Sequence, residues 1–190
     1  MIINIRGTSG SGKSHLVREV MKLYERKSRI MAKAEMKRRQ PLGYLLQRGD
    51  KKALVVIGHY ETPCGGCDTI QKMDEIFDMM EKAEGVLIDV IYEGLLLAAD
   101  VKRAAALHHS GKKLHVIGLD TDLDTCIDSI NARRRVRMGD KFEPVATKNT
   151  ISKHRGVILS MAKLAKEGIP CEWHGRTSAF NRVKELLEHD

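Results

Sequence analysis

Gly7-Thr8-Ser9-Gly10-Ser11-Gly12-Lys13-Ser14 fits the pattern G-x-x-x-x-G-K-[ST]. The apolar run Ile2-Ile3-Asn4-Ile5 precedes it, and Leu16, Val17, Val20, Met21 and Tyr24 fall on one helical face after it. Strand, glycine-rich loop and helix in that order make a phosphate site. The glycines let successive N–H groups turn inward, and the helix N-terminus adds its positive end. Lys13 is expected to reach the β- and γ-phosphates of ATP, and Ser14 to hold Mg²⁺ through its hydroxyl.

Working outward, Leu54–Ile57, Val86–Tyr92, Leu114–Leu119 and Ile169–Trp173 read as further strands, each separated from the next by helical periodicity. The pattern predicts an α/β fold, a three-layer, doubly wound, five-stranded parallel sheet of the nucleoside- and nucleotide-kinase type. Ligands are expected at the carboxyl ends of the strands. Residues 1–190 read as one domain, with 26–52 a basic insertion on the acceptor side and 131–148 a lid. Within these, 29–39 reads as a basic helix, and Pro41, Gly43, Gly49 and Asp50 mark loops. Asp68 is placed to cap a helix over 69–82, Asp122 to cap one that runs into the arginine cluster, and 95–109 reads as a third.

At 42% hydrophobic and 31% charged residues, the composition is that of a globular protein. No apolar run approaches the roughly 20 residues of a membrane span, and the phosphate loop starts too early for a leader. The expected location is the cytoplasm. There the four cysteines, Cys64, Cys67, Cys126 and Cys171, would stay reduced. Ten Lys/Arg and two acids lie between Arg26 and Lys52, a net +8 that equals the excess of the whole chain. Such a stripe suits a polyanion partner such as a nucleic acid; a solvated helix face or a mobile lid is the plainer alternative.

The chemistry narrows by residue type. A GTPase would carry Asn-Lys-x-Asp after a later strand, and this chain has none. Arg133 and Arg137, four apart in a run with Arg134 and Arg135, could clamp a transferring phosphoryl group, or merely complement a helix C-terminus. Glu93 ends a strand at the phosphate edge and is the acid expected to orient Mg²⁺, directly or through water; Asp120 is a second candidate, while Asp89 lies inside the strand. A kinase also needs a carboxylate beside the acceptor hydroxyl, and Glu61 and Asp68 are the two available after the second strand. Cys64-Gly65-Gly66-Cys67 lacks a second ligand pair for zinc, so its glycines read instead as allowing close approach of a substrate base.

Glu61-Thr62-Pro63-Cys64-Gly65-Gly66 resembles a loosened Glu-Pro-Gly-Gly stretch of thymidylate kinases, which receives their pyrimidine nucleotide. Thr62 and Cys64 are additions, Tyr60 stands where an arginine would, and no Asp-Arg-Tyr follows the third strand. The chain as a whole is similar to bacteriophage 5-hydroxymethyluracil DNA kinases. That resemblance implies ATP-dependent phosphorylation of a modified pyrimidine within DNA. The alternatives left by the residues alone are a small-molecule nucleoside or nucleotide kinase, a polynucleotide kinase, and a nucleotide-gated nucleic-acid-binding protein.

Overall fold

A computed structural model describes residues 1–32, 38–49, 51–62, 65–70, 73–94 and 100–188. Ile2–Arg6 form β1, Lys13–Met21 α1, Arg26–Ile30 β2, Gly43–Gln47 β3 and Leu54–Ile57 β4. Met73–Gly85 form α2, Asp89–Glu93 β5, Val101–His109 α3 and Leu114–Leu119 β6. Leu123–Met138 form α4, Thr147–Lys166 α5, Cys171–His174 β7 and Arg176–Glu188 α6. Single 3₁₀ turns cover Cys67–Thr69 and Gly139–Lys141.

Strand order is β2-β3-β4-β5-β1-β6-β7. The five strands from β4 to β7 are mutually parallel, as the alternation of strands and helices predicts. Along β1, Ile2 faces one side of the sheet and Ile3 and Ile5 the other, all three fully buried. Ile2 packs with Ile76 and Met80 of α2, Leu107 of α3 and Met161 of α5. Ile3 and Ile5 pack with Leu16, Val17 and Val20 of α1 and Val183 of α6. These two apolar layers hold the three-layer sandwich together, each buried aliphatic side chain contributing about 1.5–3 kcal/mol before the entropy of ordering it.

Several local readings are corrected. Arg26–Ile30 is a strand, which takes Arg29 and Ile30 out of the expected 29–39 helix, and Gly43–Gln47 is a strand where loops were expected. β3 runs antiparallel beside β4 and β2 antiparallel beside β3, so the sheet has seven strands rather than five. Tertiary pairing overrides composition here: Tyr44 and Leu46 are buried, and that apolar face carries β2 with it. The rest of the expected 29–39 helix includes 33–37, outside the described residues. α2 continues to Gly85, leaving Val86 and Leu87 exposed in a turn, with Leu87 at φ 58, and β5 begins only at Asp89. α3 starts at Val101, with Asp100 Oδ1 accepting from the Arg103 N–H at 3.0 Å; residues 95–99 lie outside the described set. Asp122 does cap α4, accepting from the Thr125 N–H at 2.7 Å. The lid reading of 131–148 falls on the second half of α4, the turn after it and the approach to α5. α4 buries only Cys126 and is polar on every side, standing with α5 as an arm beside the sheet's phosphate edge.

Candidate nucleotide and acceptor site

The loop between β1 and α1 forms a tight cradle. Gly12 sits at φ 102, where a side chain is strained and a Cβ would press on the Arg176 guanidinium. The Lys13 side chain is buried and folds back over the loop, donating to the carbonyls of Gly7 at 2.9 Å and Thr8 at 3.1 Å. Ser14 Oγ donates to Glu93 Oε1 at 2.6 Å, so the end of β5 meets the first turn of α1. Glu93 is only 2% exposed. Burial pushes its carboxyl up, against the pull of the Lys13 ammonium and the Ser14 hydrogen bond, while the Asp68 charge adds to the rise. Burial likewise lowers the Lys13 ammonium, with Glu93 and then Asp68 opposing.

A cavity of about 920 Å³ opens above this pair. Its acceptor-side wall is Gly65, Asp68 and Thr69; opposite stand Arg133, Arg134 and Arg137 of α4, then Asn149, Thr150 and Lys153 of α5. Arg18 and Arg176 complete a cationic lining in which Asp68 and Glu93 are the carboxylates. This balance suits a triphosphate. The Ser14 hydroxyl and the Glu93 carboxylate form the all-oxygen donor pair that suits Mg²⁺.

Of the expected acceptor-side acids, Asp68 faces this cavity and Glu61 does not line it. Glu61 accepts from Arg29 Nε at 2.7 Å on the exposed face of the acceptor loop, joining β2 to that loop. Asp68 lies inside the Cys67–Thr69 turn, and α2 starts only at Met73, so the side chain is not the cap of that helix. Arg133 and Arg137 both line the cavity, and Arg133 Nε also donates to the Ser129 carbonyl at 3.2 Å. Asp120 is exposed at the end of β6, and Asp89 lies at the far end of the sheet, 2.8 Å from the Met1 amine and 2.9 Å from Lys52.

The acceptor loop is held by arginines from outside it. Arg18 Nε donates to the Tyr60 carbonyl at 3.0 Å and Nη2 to that of Thr62, while Arg38 donates to the Thr69 carbonyl and hydroxyl. Its glycines are closely packed, and Gly65 also lines the cavity. Gly66, at φ 88, lies so close to Glu93 that a Cβ would run into the carboxylate, and one on Gly65 would strike the His59 carbonyl. Cys64 lies outside the described residues. Cys67 is buried, its thiol pushed up by burial and donating to the Ile57 carbonyl, and the described residues contain no cluster of metal-binding side chains.

Arg18, Arg176 and His154 escaped the sequence, and Arg134 was read there only as one of the arginine run. Arg18 is one turn beyond Ser14 on the same helix face, a signal that was present. Arg134 has its Nε buried in the structure with no acceptor among the described residues. Arg176 Nε donates to the Ser11 carbonyl at 3.1 Å, and His154 shares a 2.8 Å hydrogen bond with Thr8 Oγ1. Both lie far along the chain from the loop, and no local pattern announces them.

Fold and site together define a phosphate-loop phosphotransferase. A solved structure from the PezAT chromosomal toxin–antitoxin system of Streptococcus pneumoniae shares the fold, with TM-score 0.54 at 16% identity over 93% of this chain and 69% of that one. The chain belongs to the 5-hmdU DNA kinases of bacteriophages, being 44% identical over 187 residues to that kinase of Pseudomonas phage PaMx11, across 98% of this chain and 97% of the relative. The kinase of the same name from Delftia phage PhiW-14 is 29% identical over 99% of this chain and 73% of its own. No family model matches. No described helix is long and apolar enough to cross a membrane.

Proposed function

We propose that the protein transfers the γ-phosphoryl group of ATP to the hydroxymethyl oxygen of 5-hydroxymethyluracil in DNA, within the cytoplasm of an infected bacterial host. The observation that carries this reading is the 44% identity, over nearly the whole chain, to a relative named for that substrate. The cavity supports it, since the triphosphate loop and an acceptor-side carboxylate, Asp68, line one space.

In this reading the loop N–H groups and Lys13 hold the β- and γ-phosphates, with Ser14 and Glu93 as the residues that would hold Mg²⁺. The metal, when bound, neutralises charge on the phosphate oxygens. Asp68 orients the acceptor hydroxyl and takes its proton as the new O–P bond forms. The bond from the γ-phosphorus to the bridging oxygen breaks, and ADP leaves. Arg134, whose Nε lacks an acceptor among the described residues, joins Arg133 and Arg137 against the charge on the transferring group. The base reaches Asp68 by leaving its stack, at a cost of roughly a few kcal/mol that is smallest in single strands and mismatches.

Labelled ATP offered with 5-hydroxymethyluracil DNA, thymine DNA and the free nucleoside tests the reading. Label is expected in the first alone, lost with Asp68→Asn. Equal labelling of the free nucleoside would point to a small-molecule kinase instead.

A further inference from the structure

The +8 between Arg26 and Lys52 is largely engaged within the protein. Arg29 pairs with Glu61, Arg48 and Lys51 with Glu188, and Lys52 with Asp89. Arg38 donates to backbone carbonyls, and Lys27 lies over the Tyr44 ring. Lys33 and Lys37 lie outside the described residues.

A second segment, Arg133 to Lys166, also carries ten Lys/Arg against two acids, Asp140 and Glu143. Its net +8 is hidden in the sequence because acids elsewhere balance it. α5 contains no Asp or Glu at all. Lys148, Arg155 and Lys166 follow one another at spacings of 7 and 11 residues, about two and three helical turns, so they form a single line with Lys163 at its side. All four are exposed, and none makes an ion pair with a described residue. The same face shows Leu159 at 60% exposure, and beside it Gly156, in mid-helix, where a Cβ would meet nothing within 4 Å. Packing gives no reason for that glycine. Lys148 adjoins Asn149, which lines the cavity with Thr150 and Lys153, so the line starts at the edge of the site and runs away from it along the outer face of α5.

We propose that the solvent face of α5, from Lys148 to Lys166, is the surface that holds the DNA backbone flanking the acceptor base, an inference that rests on the DNA reading above. Lys148, Arg155, Lys163 and Lys166 contact phosphates, and Gly156 with Leu159 lets the strand approach the helix closely. The line spans about 27 Å, long enough for several successive phosphates. Binding there carries no sequence information, in keeping with contacts made by charge alone.

Binding of a fluorescent duplex of about 30 base pairs, with or without 5-hydroxymethyluracil, reads the surface directly. Arg155→Gln, Lys163→Gln and Lys166→Gln together are expected to weaken it at least about tenfold near physiological salt. They should also lower the slope of log affinity against log salt by about 2–3, near 0.9 per phosphate contact. Background ATP hydrolysis and transfer to a trinucleotide too short to reach Arg155, Lys163 and Lys166 should be unchanged. Leu159→Glu, which removes no cation, should weaken duplex binding as well. If the α5 variants bind like the parent while Arg26→Gln with Lys27→Gln loses binding, the surface is the other one and this inference fails. If the unaltered protein binds duplex through α5 yet labels no 5-hydroxymethyluracil, the acceptor reading fails and the surface stands.

Discussion

Lys13 and Glu93 are a buried pair of opposite charge, and burial pushes each toward its neutral form. A carboxyl whose folded pKa lies above its unfolded value binds more protons folded than unfolded. Its contribution to stability is therefore full in acid and falls as pH rises from about 4.5 through the raised folded value. Glu93→Gln removes that loss, so its melting temperature should gain on the parent's between pH 4 and pH 8; a constant difference would contradict the burial argument. The same substitution should lower kcat by about 10²–10³, as should Lys13→Ala, because each strips charge stabilisation from the phosphates. Near-normal turnover in a folded Lys13→Ala protein would rule out this site. The two acceptor-side acids separate cleanly: Asp68→Asn should nearly abolish transfer, while Glu61→Gln should cost little, since Glu61 only meets Arg29 at the surface. Equal losses would mean that the acceptor lies on the Glu61 side. Lys13, Ser14 and Glu93 were legible because a loop motif and a strand end fix them locally, whereas Glu61 and Asp68 could be ranked only once the loop's path was known.

The acceptor loop behaves as one element because Arg18, Arg29 and Arg38 reach it from three different parts of the chain. Arg18 holds the Tyr60 and Thr62 carbonyls from one turn beyond Ser14, tying acceptor alignment to the phosphate helix. Arg18→Ala should lower kcat for DNA phosphorylation while leaving the KM for ATP near normal, and Arg18→Lys should recover little, lacking the fork that spans two carbonyls. A change confined to the KM for ATP would make Arg18 a nucleotide contact instead. Gly66→Ala should cost about 1–3 kcal/mol in stability, from its left-handed backbone and its closeness to Glu93. Denaturant unfolding checks this. β2 and β3 were the elements least legible in the sequence. Arg-Lys-Ser-Arg-Ile shows no apolar alternation, and Gly-Tyr-Leu-Leu-Gln is too short to rank above a loop until β4 is there to pair with it.

At the scale of the molecule, the parallel five-strand core was readable because β1, β4, β5 and β6 are built on short apolar runs separated by periodic helices, while β7, Cys-Glu-Trp-His, was found from its place after the last long helix. The charge map was not. A net count along the chain cannot tell cations that meet carboxylates from those that face solvent, and only the folded chain shows that Arg29, Arg48, Lys51 and Lys52 of the 26–52 stripe meet carboxylates while the α5 line meets none among the described residues. The central claim, phosphoryl transfer to a modified base within DNA, is tested most directly by locating the transferred phosphate. A duplex with one 5-hydroxymethyluracil is incubated with γ-labelled ATP, blocked at both 5′ ends, and digested to nucleosides under conditions that spare monoesters on the base. All label is expected on the 5-hydroxymethyluracil nucleoside. Label on a terminal or sugar hydroxyl, with none on that base, would contradict it.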